Sequence, residues 1–346
     1  MHIAIDTTSL EGEHRDRGIG SYTGLLIEAL QKYENKHSYS FFTRKQKVPK
    51  SADIVHYPYF DPFFLTLPLV KSKPVVVTVH DVIPLVYPEY FPSGVRGKVK
   101  WYIQRASLRG ARRIITDSFA SKQDIQKIVG VPDALIDTVY LAPGDIFRPI
   151  NDKKELSSVQ RKYQLPTQYL LYVGDVNWNK NVIGLLRAKP KGLKLVLVGK
   201  SFKSDALSET QRINALIHAI QADADIIRTG YVTDAELAAI YNLATAYIQP
   251  SFAEGFGLPV LEAFSSGCPV ICARGSSLDE IAGPAIRVDA SDQDAIFQGI
   301  KIAINISIGE REKLRQKQFT WVRQFTWRKT AGATVGAYEK AFGDSN

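Results

Sequence analysis

The stretch "SFAEGFGLPVLEAFSSG", Ser251 to Gly267, sets one carboxylate, Glu254, before a glycine-rich turn and a second, Glu262, inside an apolar run. Pro259 suits the first turn of a helix there and Gly267 its end, while "TAYIQPS" just ahead reads as a strand. Where such a strand–turn–helix opens, unpaired N–H groups and the helix dipole attract an anion, and a diphosphate is the favoured occupant. With a rise of about 1.5 Å per residue, the two carboxylates fall on the order of 10 Å apart and bracket that anion. Carboxylates accept hydrogen bonds and sugar hydroxyls donate them. A sugar nucleotide, with ribose and hexose on either side of a diphosphate, has the matching shape.

Other residues of chemical promise fall after strands. His80 ends "PVVVTVH", and Asp81 beside it either orients the imidazole or meets an acceptor hydroxyl. Lys180, closing "YVGDVNWNK" at the mouth of a helix, is suited to phosphate, and Lys200 after "LVLVG" can assist it. In "DRGIGSY", Gly18 and Gly20 precede the helix "SYTGLLIEAL" and would let the backbone approach a ligand. The full dinucleotide fingerprint is absent, because its last position is Thr23. Asp223 and Asp225 form a D-x-D, but they precede a strand and would face away from the ligand, so no metal is expected.

The run "SGVRGKVKWYIQRASLRGARR" contains no acid. Val95, Val99, Ile103 and Ala106 make a helical stripe, with Lys98, Arg105, Arg109 and Arg112 on the adjoining face. This is either an ordinary solvated face or a surface for anionic lipid headgroups. Trp101, Tyr102 and the aromatic loop "HYPYFDPFF", which holds Tyr57 and Tyr59, suit an interface; nucleic acid is not expected, since no recognition motif accompanies the charge.

"EGFGLPVLE" matches the E-x7-E signature of retaining family 4 glycosyltransferases of the GT-B fold. The resemblance runs along nearly the whole chain, through "GIGSYT", "VTVHD", "DSFASKQDI", "YVGDVNWNKN", "LVLVGK" and "GYVTDAELAAIYNLA", and it is similar to bacterial polysaccharide and O-antigen mannosyltransferases. It implies that Glu254 contacts the donor hexose and Glu262 the ribose. Gly255, Phe256, Gly257 and Leu258 would approach hexose and phosphate; Gly18, Gly20 and Gly174 would lie at the donor; Val232 would hold the base through its backbone; and His80 would touch the hexose. Asp81, Tyr57 and Tyr59 are then acceptor-side candidates. Many relatives place an arginine next to the lysine or after the glycine, where this chain has Asn179 and Asp175. The implied activity is cofactor-free transfer of a hexose, mannose as first choice, from a nucleoside-diphosphate sugar to a glycan or lipid-linked glycan. The alternatives are a sugar-nucleotide epimerase of the same fold and a nicotinamide-dependent dehydrogenase.

Two series of short β-branched runs must carry these residues: "HIAID" to "DTVYLAPG", then "YLLYVGD" to "AIRVDA", separated by amphipathic stretches such as 206–221. Strands without in/out alternation are buried on both faces, as in parallel sheets covered by helices. The expected architecture is α/β: two doubly wound, Rossmann-like domains, residues 1–150 on the acceptor side and 151–325 on the donor side, with the site in the cleft between them. A C-terminal helix, 326–346, crosses back onto the first domain, with Thr326 as its N-cap. A length of 346 residues suits two domains, and the net charge of +9 calls for an anionic partner. Apolar runs are too short to span a bilayer and no secretion signal opens the chain, so a cytoplasmic protein, peripheral at most to the inner membrane face, is expected. Cys268 and Cys272 are read as buried, unbridged thiols.

Overall fold

The structure, a computed structural model, describes residues 1–11, 18–202, 220 and 222–343. It divides into two compact units, Met1–Ala142 with Phe325–Asn346, and Pro143–Gln324. The amphipathic stretch 206–221 expected from the sequence lies, but for residue 220, outside the described residues.

Unit 1 carries a six-stranded sheet: β1 (His2–Asp6), β2 (Ser38–Phe42), β3 (Ile54–Tyr57), β4 (Val75–Thr78), β5 (Arg113–Thr116) and β6 (Ile136–Thr138). Its order is β2-β1-β3-β4-β5-β6, and every pairing is parallel. β3, β4 and β5 are buried at every position, which is why their sequences run apolar without alternation. Among the described residues of Met1–Ala142, the α-helices are α1 (Gly18–Tyr33), α2 (Ile83–Val86), α3 (Gly94–Arg109) and α4 (Phe119–Val129). As far as it is described, α1 runs from Gly18, so Gly18 and Gly20 are helical and not in a preceding loop.

Unit 2 repeats the plan with β7 (Leu170–Val173), β8 (Leu195–Val198), β9 (Ile226–Gly230), β10 (Ala246–Gln249), β11 (Val270–Ala273) and β12 (Ile286–Val288). The helices are α5 (Lys153–Lys162), α6 (Val182–Ala188), α7 (Asp234–Leu243), α8 (Leu258–Ser265), α9 (Leu278–Ile281), α10 (Gln293–Asn305) and α11 (Ile308–Val322). The all-parallel order β12-β11-β10-β7-β8-β9 has a decisive consequence. From β7 the chain winds one way to β8 and β9; from β10 it winds the other way to β11 and β12. The loops after β7 and β10 therefore diverge at a topological switch point, where open parallel sheets form a crevice for ligands.

The last helix, α12 (Trp327–Gly343), belongs to unit 1, and the Thr326 hydroxyl accepts a bond from Lys329 N at 3.3 Å, as an N-cap does. Thr330 Oγ1 donates to the Tyr140 carbonyl (2.8 Å), Lys340 pairs with Asp137 (2.5 Å), and Tyr338 OH meets His56 Nδ1 (2.7 Å) in the core. His56 is fully buried, and the loss of solvent depresses its pKa to about 3, so it is a neutral core group. Residues 143–150 travel with unit 2: Asn242 of α7 accepts from Ile150 N (2.8 Å) and donates to the Arg148 carbonyl (2.9 Å). Cys268 and Cys272 are free and buried, and burial raises both thiols to about 12.

Glycine is required where the β7 and β8 ends touch. Gly199 has φ +156°, and a Cβ there would stand 2.2 Å from the Gly174 carbonyl oxygen. Gly199→Ala should therefore lower the unfolding free energy by about 2–4 kcal/mol, whereas Gly192→Ala should cost only about 1 kcal/mol. Gly192 shares a positive φ (+81°) but has open space at its Cβ. Urea titrations of both variants separate the clash from the backbone strain; equal losses would contradict the close approach.

Candidate active site

Lys180 and Glu254 meet across the switch point of unit 2. Lys180 closes a 3-10 turn (Trp178–Lys180) after β7, and Glu254 lies between β10 and α8. Lys180 Nζ donates to both carboxylate oxygens, at 2.9 Å to Oε1 and 2.7 Å to Oε2, although the residues are 74 positions apart. Ser251 Oγ (2.6 Å) and Gln249 Nε2 (2.5 Å) also donate to Oε1. Gln249 is itself held by the Tyr247 hydroxyl. Glu254 is only 8% exposed, so without these donors its charge would be costly to bury.

The backbone of the two loops is sewn together as well. Phe252 N donates to the Asn179 carbonyl (2.8 Å), Asn179 Nδ2 to the Ala253 carbonyl (3.0 Å), and Asn181 Nδ2 to those of Pro250 (3.1 Å) and Ala290 (2.7 Å). Trp178 stacks on Phe252 with centroids 5.0 Å apart. From the other side, Ser276 Oγ accepts from Glu254 N (3.1 Å), and Ser277 Oγ donates to the carbonyls of Glu254 (2.8 Å) and Phe256 (2.9 Å). Gly257, at φ +100°, turns the chain into α8 where a Cβ would strike Leu278 and Ile281 at 2.8 and 2.9 Å. No side chain caps α8, and Leu258 and Pro259 form its start.

Glu262 projects from α8 beside the Tyr241 hydroxyl of α7, which donates to it at 3.3 Å. Burial, reinforced by the nearby Asp234 carboxylate, pushes its pKa up to about 8, and the Tyr241 bond only partly opposes this. Lys200 opens a 3-10 turn after β8 with its ammonium 5.0 Å from the Tyr231 ring centroid, and Val232, 7% exposed, follows Tyr231 after β9. Gly174 N bonds the Val198 carbonyl (2.9 Å), and Asp175 accepts from Ser201 Oγ (2.8 Å). Asp223 and Asp225 pair with Lys189 at 3.3 and 3.8 Å, and Asp225 also with Lys194 at 2.9 Å.

In unit 1, His80 follows β4 and Asp117 follows the adjacent β5. His80 Nδ1 and Asp117 Oδ2 are 2.6 Å apart, and the Tyr22 ring of α1 meets the imidazole edge-on at 4.6 Å. Burial works against a charged imidazole, but the Asp117 carboxylate outweighs it and holds the His80 pKa above the ordinary value. His80 Nε2 and Asp117 Oδ1 are buried and lack well-aligned hydrogen bonds, though the Pro58 carbonyl lies close enough to favour the His80 proton. Asp81 Oδ1 accepts from Ile83 N (3.0 Å) at the start of α2, and its negative charge adds to that of Asp117 in favouring the His80 proton. Tyr57 is 5% exposed and packs edge-on against Phe42 in the core, where an acceptor contact has no room. Tyr59 OH donates to Asp61 (3.0 Å) and shapes its own loop.

Residues 10–142 match the family model described as Glycosyltransferase Family 4, and residues 153–321 the one described as Glycosyl transferases group 1. O-antigen chain mannosyltransferase B of Escherichia coli is 33% identical over 91% of this chain and 80% of its own length. The chain belongs to glycosyltransferase family 4. The serotype-specific mannosyltransferase WbdA of the same organism is 25% identical over 77% of this chain, which spans 33% of that longer protein. Sucrose-phosphate synthase from Thermosynechococcus elongatus, at 17% identity, superposes with a TM-score of 0.74 over 99% of this chain and 100% of its own, and shares the GT-B fold.

In this glycosyltransferase the structure joins Lys180 to Glu254 and leaves Glu262 on a separate partner. Sequence reasoning missed Gln249, Ser251, Ser276, Ser277 and Asp117. Asp117 stood in the quoted motif "DSFASKQDI" and, at a strand end next to that of His80, was the one with a usable signal. Asn179, noted as a departure at the phosphate site, spends its amide on the neighbouring loop.

The raised pKa of Glu262 fixes a sign. Between its ordinary 4.5 and about 8, the folded chain keeps a proton that the unfolded chain has released, so stability falls as pH rises through that window. Glu262→Gln, which cannot ionise, should flatten this fall, and its melting temperature should exceed that of the wild type at pH 8.5 by more than at pH 5. A gap that does not change with pH would contradict the assignment.

Proposed function

We propose that this glycosyltransferase moves mannose from GDP-mannose to a hydroxyl of a glycan or lipid-linked glycan, with retention of anomeric configuration and without a cofactor. The carrying observation is the unused bonding capacity at the switch point. An ammonium has three N–H donors and Lys180 spends two on Glu254; Glu254 Oε2 receives one donor and can accept another. The free N–H of Lys180 suits a diphosphate oxygen, and the free lone pair of Oε2 suits a hexose hydroxyl. Lys180 then screens Glu254 from the donor's negative charge, so both can serve one ligand.

The backbone of Gly255, Phe256, Gly257 and Leu258 at the start of α8 would approach the hexose and the phosphates, with Lys200 adding charge. Glu262 would hold the ribose, Val232 would present its backbone to the base, and Gly174, Gly18 and Gly20 would leave room for phosphate. His80, held by Asp117, would contact the hexose. In the transfer step the C1–O bond to the diphosphate breaks while the acceptor oxygen bonds C1 on the same face. The acceptor's proton passes to the departing phosphate oxygen, and Lys180 and the α8 start stabilise the charge that develops there. The O-antigen mannosyltransferases named above support mannose and a glycan acceptor. An epimerase or a nicotinamide-dependent dehydrogenase finds no corresponding support.

Glu254→Ala should reduce transfer by about 100-fold or more while GDP still binds. Glu262→Ala should chiefly raise the donor dissociation constant. A thermal-shift panel of GDP-, UDP- and ADP-linked sugars, with NAD as control, should select GDP-mannose. Full transfer by Glu254→Ala would refute the role of that carboxylate, and stabilisation by NAD alone would refute the class of donor.

A further inference from the structure

Most of the apolar stripe of α3 points away from the protein: Val95, Val99 and Ala106 are exposed, and Ile103 is half-buried. Gly97, Gln104, Ser107 and Leu108 are the buried positions of α3. Gln104 Oε1 accepts from Thr66 N (3.0 Å), Thr66 Oγ1 (2.8 Å) and Leu67 N (3.1 Å), and Ser107 Oγ donates to the Pro68 carbonyl (2.6 Å). This stitching fixes how the helix is rotated. At 100° per residue, Val95, Val99 and Tyr102 lie on the opposite side, and they are 80%, 54% and 68% exposed. Sequence periodicity alone gives a stripe; only the polar bonds of Gln104 and Ser107 decide that it faces outward.

Three further observations belong to the same surface. The loop stitched to α3 carries its own exposed apolar side chains, Phe64 (63%), Leu65 (55%), Leu69 (62%) and Val70 (88%). An apolar groove of about 480 Å³, shared by Val95, Phe91, Leu85 and Trp101 with Lys98 at its side, continues the stripe at the N-terminal end of α3. Between Glu89 and Asp117 there is no acidic residue, while Arg96, Lys98, Lys100, Arg105, Arg109 and Arg112 fall in that interval. None of those six forms an ion pair among the described residues.

We propose that α3 and the 61–70 loop dock this protein on an anionic phospholipid bilayer, with Val95, Val99 and Tyr102 entering the headgroup boundary and the flanking cations lying among the phosphates. An exposed apolar stripe bordered by cations alone is the pattern of a helix lying in a membrane interface. A second copy of the chain is a poor occupant, because two such basic faces repel each other. Nucleic acid would use the cations and leave the apolar stripe in water. The proposal does not depend on which sugar or acceptor the enzyme uses.

Co-sedimentation of the full chain with vesicles tests it. Vesicles of phosphatidylcholine with one-third phosphatidylglycerol should bind the protein at least tenfold more tightly than phosphatidylcholine alone, and added salt should weaken the binding. The triple variant Val95→Asp, Val99→Asp, Tyr102→Asp should lose binding at least tenfold while keeping its melting temperature and its donor binding. Lys98→Glu with Arg96→Glu should lose it without any change in the apolar stripe. Equal binding to both vesicle types, undiminished binding by the triple variant, or a wild-type dimer that the triple variant dissolves would each overturn the proposal. So would an RNA oligomer that binds the triple variant and the wild type alike while vesicles bind neither. Donor binding is read separately, so a failure of the docking surface and a failure of the proposed activity are distinguishable.

Discussion

A buried carboxylate in a parallel sheet needs a cation within reach, and in this fold the cation comes from the far side of the switch point. Glu254 and Lys180 stand on loops that the winding of the chain drives apart, and their ion pair bridges the gap at 2.7 Å. Removing water from both groups is costly, and the attraction between them offsets that cost only with good geometry and further donors. Gln249 and Ser251 supply those donors on one oxygen, which among the described residues leaves the other oxygen and one ammonium hydrogen uncommitted. The site is thus a stabilised charge pair with two directed vacancies. The loops it joins are further fixed by the amides of Asn179 and Asn181 and by the hydroxyls of Ser276 and Ser277.

Unit 1 uses the same device at its own strand ends. His80 and Asp117 emerge from neighbouring parallel strands, and each makes the burial of the other tolerable. Glu262 is the contrasting case: its bond from Tyr241 is long and no cation pairs with it among the described residues, so burial and Asp234 keep its proton on. Because burial favours the protonated form of Glu262, any ligand that favours its charged form must displace that proton, so ligand binding and pH are linked there.

Much of the fold was legible because double burial writes itself into composition. Segments such as "VVVT" and "LVLV" are buried at each position and almost wholly apolar, since parallel strands covered on both faces leave no room for alternation. The helix that begins after Gly257 was legible from its proline and glycine, and the C-terminal helix from Thr326. What escaped was whatever depends on contacts between distant segments. Gln249 and Ser251 are ordinary residues in the sequence, and only the return of Glu254 onto the strand end makes them donors. Asp117 needed the pairing of β4 with β5 to reach His80, and the more obvious neighbour, Asp81, was already engaged with Ile83. Tyr57 looked like part of an exposed aromatic loop because nothing local shows that β3 is a central strand. The outward turn of the α3 stripe likewise rests on Gln104, 37 or 38 residues from its partners.

The central claim is that Lys180 and Glu254 act as one unit. A double-mutant cycle of Lys180→Met and Glu254→Gln, read as unfolding free energy, measures that directly. The account predicts a coupling of about 1–3 kcal/mol, each single change leaving its partner buried and unpaired while the double change relieves both. Losses that add to within about 0.3 kcal/mol would contradict it.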